Sequence, residues 1–271
     1  LVSWVTKKST SEQTTTKLSC WPVSVVPAAR QRSVMPDYYD SVGRRIPLGR
    51  ILGSGGEGNV FEIPDVSREL VAKIYQQRLD VQKQHKLVDM AKGCDERLKQ
   101  VAAWPTATLH LGRDGAVCGF LMPKVIGYEP IHKLYGPSHR KESFPQATWQ
   151  FLVHTARNVA AAFDAIHAHG HVIGDVNQGN VTVAKSGVVK LIDCDSFQIA
   201  AHGTKYLCEV GVAHFTPPEL QSISSFHGIA RNPNHDNFGL AVLCFHLLFM
   251  GRHPFAGVYC GAGDMPIEKA I

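Results

Sequence analysis

After Ile46, hydrophobic positions alternate with polar ones in short stretches, which predicts a small antiparallel sheet. A glycine-rich loop separates the first two stretches, and a turn at Gly112–Gly115 separates the last two. The five predicted strands cover residues 46–52, 59–63, 70–75, 106–111 and 117–122. Apolar residues at helical spacing predict one helix over 80–100. We therefore expect a first lobe of five strands and one helix.

The second half of the chain has mainly helical periodicity. Its predicted elements are a helix at 148–169, strands at 181–183 and 188–192, and an apolar helix at 238–250. Gly170 is placed to end the long helix, because glycine readily adopts the left-handed conformation found there. The pattern predicts an α+β fold, with a small antiparallel sheet lobe at 46–124 and a mainly helical lobe at 125–271.

The residues before the first predicted strand differ from the rest. Residues 1–34 are rich in Ser, Thr, Lys and Gln and lack clear periodicity, so we expect 1–45 to be a disordered or non-native leader. The chain opens on Leu1, and Met35 offers a natural start.

Composition narrows the function classes. The chain has 271 residues, 44% of them hydrophobic, which is enough for two lobes with their own cores. The net charge of +5 comes from scattered basic residues, so no nucleic-acid partner is expected. The longest apolar run, 238–250, is too short to cross a bilayer. Seven cysteines without a CxxC pair favour reduced thiols and a cytoplasmic location.

The glycine-rich loop is the first candidate for binding chemistry. Glycines let backbone N–H groups approach phosphate oxygens without a Cβ in the way, although a chance turn gives the same pattern. The candidate phosphate-binding residues are Gly53, Ser54, Gly55, Gly56, Gly58 and Val60. A strand rather than a helix follows, which excludes a dinucleotide fingerprint, and no Gly-Lys-Ser/Thr is present for a Walker loop.

Polar residues in apolar strands and tight loops supply the other candidates. Lys73 lies in an apolar strand, where its charge must be paired. It could hold phosphates, or it could be a surface lysine on an edge strand. Asp175 can orient the proton of a hydroxyl, and Asn180 can offer an amide oxygen to Mg²⁺. Asp193 ends an apolar strand and could ligate the same ion, although ordinary turns also use these residue types.

Six segments together resemble the protein kinase family in order and spacing. They are 53–60, 71–74, 175–180, 193–195, 217–219 and 236–239. The resemblance covers 46–271 and implies a bilobal fold with Mg·ATP between the lobes. It implies that Ala72 and Lys73 contact the nucleotide, that Asp175 is the catalytic base, and that Asp236 anchors the catalytic loop.

The resemblance also places the hinge that would contact adenine at 122–125. Met122, Lys124 and Val125 are its candidate contacts, because Pro123 has no N–H to donate. Within the family, several segments are similar to bacterial kinases fused to helix-hairpin-helix modules, some of them encoded near tellurite-resistance genes. The family's large lobe has helices beyond residue 250, so we expect this lobe to be incomplete at its C-terminal end.

The chain departs from the kinase pattern in the catalytic loop. Gly174 stands where many kinases have an arginine, which argues against activation through a phosphorylated residue paired with that arginine. Asn177 replaces a lysine, and Val212 replaces the threonine that would contact it. These two changes fit each other, because an unpaired hydroxyl in a dry site would be costly.

Two further departures concern acidic residues. Asp195 replaces the glycine of Asp-Phe-Gly and could bind a second cation or cap the loop. No acid stands at secure spacing to pair with Lys73. Asp89 and Glu96 are candidates in the predicted helix, and His85 could occupy the position instead.

The sequence therefore predicts an ATP-dependent Ser/Thr protein kinase that uses Mg²⁺ and acts on an unidentified protein. A nucleotide-binding pseudokinase is the alternative, and a small-molecule phosphotransferase is a third possibility. The alternating histidines at 167, 169 and 171 could bind a metal, but a helix cap and turn are preferred. The oligomeric state is not predicted.

Overall fold

The computed structural model describes residues 36–64, 69–257 and 260. A seven-stranded antiparallel sheet forms the first lobe, in the order β2-β1-β6-β7-β5-β4-β3. Its strands are β1 Tyr38–Asp40, β2 Arg45–Ile46, β3 Ile51–Ser54, β4 Gly58–Glu62, β5 Leu70–Tyr75, β6 Ala107–Leu111 and β7 Val117–Pro123. Four of the five strands predicted from alternation are present as β4 to β7. The predicted strand at 46–52 is divided, because Ile46 ends β2 and Ile51 begins β3, with no strand between them. Strand β1 precedes them all.

Strand β1 and the first residue of β2 lie inside the predicted leader and correct its boundary. Residues 38–40 pair with both β2 and β6. Asp40 is buried and accepts hydrogen bonds from the backbone N–H groups of Val42 and Arg44, which fixes the turn between β1 and β2. The folded part therefore starts before the predicted boundary at residue 45, and residues 1–35 lie outside the described part of the chain.

Two helices, rather than one, occupy the region predicted as helix at 80–100. They are α1 Val81–Lys92 and α2 Glu96–Val101. The first ends at Gly93, and the Asp95 carboxylate caps the second by accepting from the Leu98 N–H at 2.8 Å. Because an N-cap side chain replaces a missing helical partner, Asp95 favours a new helix start over continuation.

The second lobe is mainly helical, as predicted. Its helices are α3 His132–Tyr135, α4 Pro137–Ser143, α5 Trp149–Ala168, α6 Pro218–Gln221 and α7 Pro233–Leu248. Short strands form a three-stranded sheet and a hairpin: β8 Tyr128–Pro130, β9 Val181–Ala184 and β10 Val189–Leu191, then β11 Ile199–Ala201 and β12 Thr204–Tyr206. Helix α7 starts five residues before its predicted start, because Asn232 caps it and Pro233 suits its first position.

Helices α5 and α7 pack together at the centre of this lobe. Val159 and Phe163 of α5 are fully buried, as are Val242 and Leu243 of α7. Burial of each such side chain stabilises the fold by roughly 1.5–3 kcal/mol. This rigid pair supports the loop that follows α5, which carries the predicted catalytic residues. Among the described residues, no helix is long and apolar enough to cross a membrane.

Candidate active site

A cleft of about 780 Å³ contains the predicted catalytic and metal-binding residues. Its roof is the loop between β3 and β4, and its back is β5 and the end of β7. Its floor comes from the loop after α5 and the loop after β10. Lys73, Asp175, Asn180 and Asp193 all line it, although they are spread over more than a hundred positions of the chain.

The glycines of the roof have different roles. A Cβ built on Gly53 or Gly56 would meet no atom within 4 Å, so these positions keep the backbone open toward the cleft. A Cβ on Gly58 would lie 2.5 Å from the Ile74 carbonyl oxygen. Gly58 is therefore required by the close pairing of β4 with β5, in addition to its place in the loop.

Strand β5 presents Val71 and Lys73 to the cleft. Ala72 is fully buried in the core on the opposite face of the sheet, with Ile74 and Leu121. The prediction of Ala72 as a nucleotide contact is wrong. Side chains alternate between the two faces of a strand, and the neighbouring Lys73 faces the cleft. Val71 takes the place expected for Ala72, and the alternation rule would have identified it.

The predicted hinge lies at the cleft edge. Met122, Lys124 and Val125 all line the cleft. The backbone N–H of Lys124 donates to the Glu69 carbonyl at 2.6 Å, which fixes the strand end. Apolar residues that sequence reasoning did not select complete this wall and suit a flat aromatic ring; they are Leu52, Val71, Ala103 and Ile192.

The loop after α5 holds Asp175 and Asn180 in contact. The Asn180 Nδ2 donates to Asp175 Oδ2 at 2.9 Å and to the Asp175 carbonyl at 3.0 Å. Both bonds use the amide nitrogen, so the amide oxygen is left for another partner. Burial raises the pKa of Asp175, while hydrogen bonds from Asn180 and Asn177 oppose that rise.

Asp236 anchors this loop, as the family resemblance implies. Its buried carboxylate accepts from the Ile173 N–H at 2.7 Å and from the Gly174 N–H at 2.8 Å. The Nε2 of His167 lies 2.8 Å from the same carboxylate. A carboxylate bonded to two backbone N–H groups positions the residues immediately before Asp175.

Asp193 follows β10 in the left-handed conformation, with φ 58° and ψ 37°. Its Oδ1 lies 2.7 Å from the Lys73 Nζ, and its side chain is half exposed toward the cleft. A non-glycine residue at positive φ is uncommon and tends to mark functional sites. This conformation directs the carboxylate toward the space between the lobes.

Asp195 is the principal partner of Lys73. The carboxylate of Asp195 is 1% exposed and accepts from Lys73 Nζ at 2.8 and 2.9 Å. It also accepts a hydrogen bond from the Tyr75 hydroxyl, and the Nζ of Lys83 lies 3.6 Å away. These contacts favour neither a second cation site nor a simple loop cap for Asp195.

The charges around Asp195 determine its protonation and that of Lys73. Burial alone would lower the pKa of Lys73, but Asp195 and Asp193 outweigh it and raise that pKa. Burial alone would raise the pKa of Asp195, but Lys73 and Lys83 lower it to about 2. Both groups are therefore charged at neutral pH.

The partners proposed for Lys73 from sequence are wrong. Asp89 accepts from the Tyr206 hydroxyl at 2.7 Å, and Glu96 pairs with Lys99 on the surface. His85 is exposed. The acidic partner, Asp195, stands at the position of a family glycine, 122 residues from Lys73, so the pattern of helix α1 does not indicate it.

The cleft has the donors that a magnesium ion prefers. The Asn180 amide oxygen and the Asp193 carboxylate are hard oxygen ligands on the same cleft wall. In the described part of the chain, no group of three or more His, Cys, Asp or Glu side chains could hold a metal ion. Phosphate oxygens and water would therefore have to complete the coordination shell.

The alternating histidines serve structural contacts. His167 bonds Asp236, whereas His169 bonds the Ala165 carbonyl and Asp95. The ring of His171 stacks on Trp104. These separate contacts support the predicted helix end rather than a metal site.

Two curated relatives share more than half of the aligned residues with this chain. No family model matches the chain. It is 55% identical to protein kinase YegI of Escherichia coli O157:H7 over 223 residues, which is 82% of this chain and 34% of that protein. For the YegI of E. coli K12 the identity is 56% over 220 residues, 81% of this chain and 34% of the relative. The chain thus spans about a third of the length of these relatives.

A distant relative and a solved structure are also similar to the chain. The DNA damage-responsive serine/threonine-protein kinase RqkA of Deinococcus radiodurans is 25% identical over 215 residues, which is 79% of this chain and 31% of that protein. The ROP18 kinase domain, solved with AMP-PNP and sucrose, has a TM-score of 0.58 at 16% identity, covering 81% of this chain and 69% of its own. The latter likeness concerns the fold and confirms the predicted bilobal α+β architecture. The chain belongs to the protein kinase superfamily.

Proposed function

We propose that this chain binds Mg·ATP in the cleft and transfers the γ-phosphate to a Ser or Thr hydroxyl of a protein. The observation that carries this proposal is the convergence of Lys73, Asp175, Asn180 and Asp193 on one cleft beneath the glycine loop. Phosphoryl transfer depends mainly on positioning and on neutralising phosphate charge, and these four side chains suit those tasks.

Each residue has a distinct task in the proposed reaction. Lys73, held by Asp195, presents its ammonium to phosphate oxygens. Asn180 and Asp193 would hold Mg²⁺, which would neutralise charge on the phosphates. Asp175 orients the acceptor hydroxyl and accepts its proton.

The names of the relatives support parts of this proposal. Two relatives are named protein kinases, and RqkA is named a serine/threonine kinase. The structural neighbour was solved with AMP-PNP, an ATP analogue. A protein is therefore the proposed substrate, and Ser/Thr is preferred over Tyr on the strength of the distant relative.

One contact favours the pseudokinase alternative. The Lys73 Nζ donates to Asp193 Oδ1 at 2.7 Å. A Mg²⁺ ion would need this same carboxylate as a ligand. Binding of Mg·ATP would have to exchange this bond for phosphate and metal contacts. In a pseudokinase that exchange would lead to binding without transfer.

Transfer of labelled γ-phosphate to a generic protein such as casein tests the proposal, with the parent beside Asp193→Ala. We expect Mg²⁺-dependent label in the parent and its loss in the variant. Asp164→Ala is a matched control, because Asp164 lies on the surface in an ion pair with Arg97. Unchanged transfer in Asp193→Ala would contradict the assignment.

We propose a cytoplasmic location on the basis of cysteine chemistry. The six cysteines in the described part of the chain are all free thiols. Reduced cysteines are the normal state in the cytosol.

A further inference from the structure

Arg231 connects three separate segments of the second lobe. It is 5% exposed and lies between α6 and α7. Its backbone N–H donates to Gln198 Oε1 at 2.7 Å, and its carbonyl accepts from Gln198 Nε2 at 2.7 Å. Gln198 is also buried and follows the Asp193–Asp195 turn. The backbone of Arg231 is thus fixed to the start of the segment that runs from 193 to 219, which we call the activation segment.

The guanidinium of Arg231 reaches two further carbonyls. Its Nη1 donates to the carbonyl of Gly174, the residue before Asp175, and its Nη2 donates to the Val210 carbonyl at 2.6 Å. The group stacks on the Phe226 ring, 4.0 Å from the ring centroid. One side chain therefore joins the catalytic loop to the middle of the activation segment.

Two glycines leave room for this guanidinium. A Cβ on Gly174 would lie 3.1 Å from Nη1 and 2.7 Å from the Cys208 Sγ. A Cβ on Gly211 would lie 3.3 Å from Nη2. Gly174 also has a φ of +73°, which side-chain-bearing residues rarely adopt. Position 174 therefore carries a glycine where many kinases have an arginine, and the guanidinium of Arg231 lies in the adjacent space.

The guanidinium of Arg231 has two nitrogens bonded to the protein backbone and one buried nitrogen without a partner among the described residues. Both terminal nitrogens bond carbonyl oxygens, and within the described residues the buried Nε has no hydrogen-bond partner. A buried donor without a partner costs free energy, so the site holds this arginine in spite of an incomplete set of bonds. A guanidinium held in this way fixes the activation segment without any added phosphate.

We propose that Arg231 is a positioning residue that locks the catalytic loop to the activation segment, so that transfer requires no phosphorylation of that segment. This proposal rests on the proposed kinase function. It adds to that function the residue, Arg231, that holds the activation segment in place of a phosphate group on that segment. Asp175 would then be held in its working position in the unmodified chain.

The first test uses the parent protein alone. The chain is treated with a broad-specificity phosphatase until intact mass shows no phosphate, and the initial rate of transfer to casein is measured after phosphatase removal. We expect a rate within about twofold of the untreated protein. A large loss of rate, restored after incubation with Mg·ATP, would overturn the proposal.

The second test compares Arg231→Met and Arg231→Lys with Arg97→Met, a control at an exposed ion pair. Charge-assisted hydrogen bonds are strong, so their loss in Arg231→Met should speed amide hydrogen exchange roughly tenfold at 173–176 and 207–216. Exchange in the seven-stranded sheet should not change. We expect kcat to fall by a similar factor while KM for ATP changes little, because Arg231 does not line the nucleotide cleft.

The lysine variant keeps this test decisive if the methionine variant fails to fold. Arg231→Lys keeps the charge and one carbonyl contact, so its exchange and kcat should lie between those of the parent and of Arg231→Met. Exchange and kcat equal to the parent in both variants would overturn the proposal. A parent without any transfer would instead count against the proposed function, while amide exchange would still test the role of Arg231.

Discussion

The Lys73 ammonium lies 2.8 Å from Asp195 Oδ1, across 122 positions of the chain. Helix α1, where the family pattern places the acidic partner of this lysine, instead directs Lys83 toward the same carboxylate at 3.6 Å. The acid has therefore moved from the helix to the turn after Asp193, and the helix supplies a positive charge. Lys73 thus keeps an acidic partner, but the acid comes from the turn after Asp193 and helix α1 contributes a positive charge.

Asp195→Asn should disrupt both stability and catalysis. The substitution keeps the shape but removes the charge that balances buried Lys73. Removal of one partner of a buried ion pair costs about 3–5 kcal/mol, and Asp193 compensates for part of that loss. We expect the free energy of unfolding to fall by about 3 kcal/mol in urea titrations and transfer to fall at least tenfold.

Asp89→Asn is the matched control, because Asp89 lies on α1 and bonds the Tyr206 hydroxyl rather than Lys73. Its effect on unfolding should stay near 1 kcal/mol, with transfer retained. Equal losses in the two variants would contradict the assignment of Asp195 as the Lys73 partner.

Tyr75→Phe removes the hydroxyl that donates to Asp195 and changes little else. The ring packs in the core, and the carboxylate keeps its two bonds from Lys73. We expect a loss of about 1–3 kcal/mol in unfolding free energy, the usual cost of leaving a buried acceptor short of one donor. A variant as stable as the parent would show that the hydroxyl contributes nothing to this cluster.

Lys86→Met should stabilise the protein at neutral pH. Lys86 is 4% exposed, and burial together with the nearby charge of Lys83 lowers its pKa from 10.5 to about 8. The unfolded chain then binds more protons between pH 8 and pH 10.5, so the parent gains stability as pH rises through that window. At pH 7 the buried charge costs on the order of 3 kcal/mol, which methionine would avoid.

Urea unfolding at pH 7 and pH 10 checks this prediction. The advantage of Lys86→Met over the parent should be largest at pH 7 and should shrink toward pH 10. Lys92→Met, at an exposed position of the same helix, should differ little from the parent at either pH. A difference between Lys86→Met and the parent that does not change with pH would rule out the charge as its cause.

The glycine loop gives a paired prediction. Gly58→Ala places a Cβ 2.5 Å from the Ile74 carbonyl oxygen and should destabilise the fold by about 1–3 kcal/mol. Gly53→Ala has open space around its Cβ and should leave stability within about 0.5 kcal/mol of the parent. Thermal unfolding of both variants distinguishes the two roles, and equal destabilisation would contradict the different roles assigned to Gly58 and Gly53.

The order and spacing of short motifs predicted four side chains that the fold brings together. Lys73, Asp175, Asn180 and Asp193 each stand in a local pattern, and the fold brings all four to one cleft. Local rules also predicted α5 well, because Thr148 caps its start and Gly170 follows its end with a φ of +77°. Such features depend on neighbours along the chain, which a sequence displays directly.

The features that the sequence did not reveal depend on contacts between distant residues or on the face of a strand from which a side chain projects. The kinase resemblance implies that Ala72 lies in the cleft, whereas its alternation with Lys73 places it in the sheet core. The pairing of Lys73 with Asp195 and the contact of Arg231 with Gly174 join residues 122 and 57 positions apart. No periodicity encodes such contacts, so only the folded arrangement shows them.

Single-turnover transfer from Mg·ATP by the parent and by Asp175→Asn, with nucleotide affinity measured on both, tests the proposed kinase activity most directly. Asn180 still contacts the Asp175 backbone carbonyl in the variant, so the cleft should keep its shape. We expect both proteins to bind Mg·ATP with similar affinity, and we expect the rate of transfer to be at least a hundredfold lower in the variant. Binding in both without transfer in either, or equal transfer in both, would contradict this expectation.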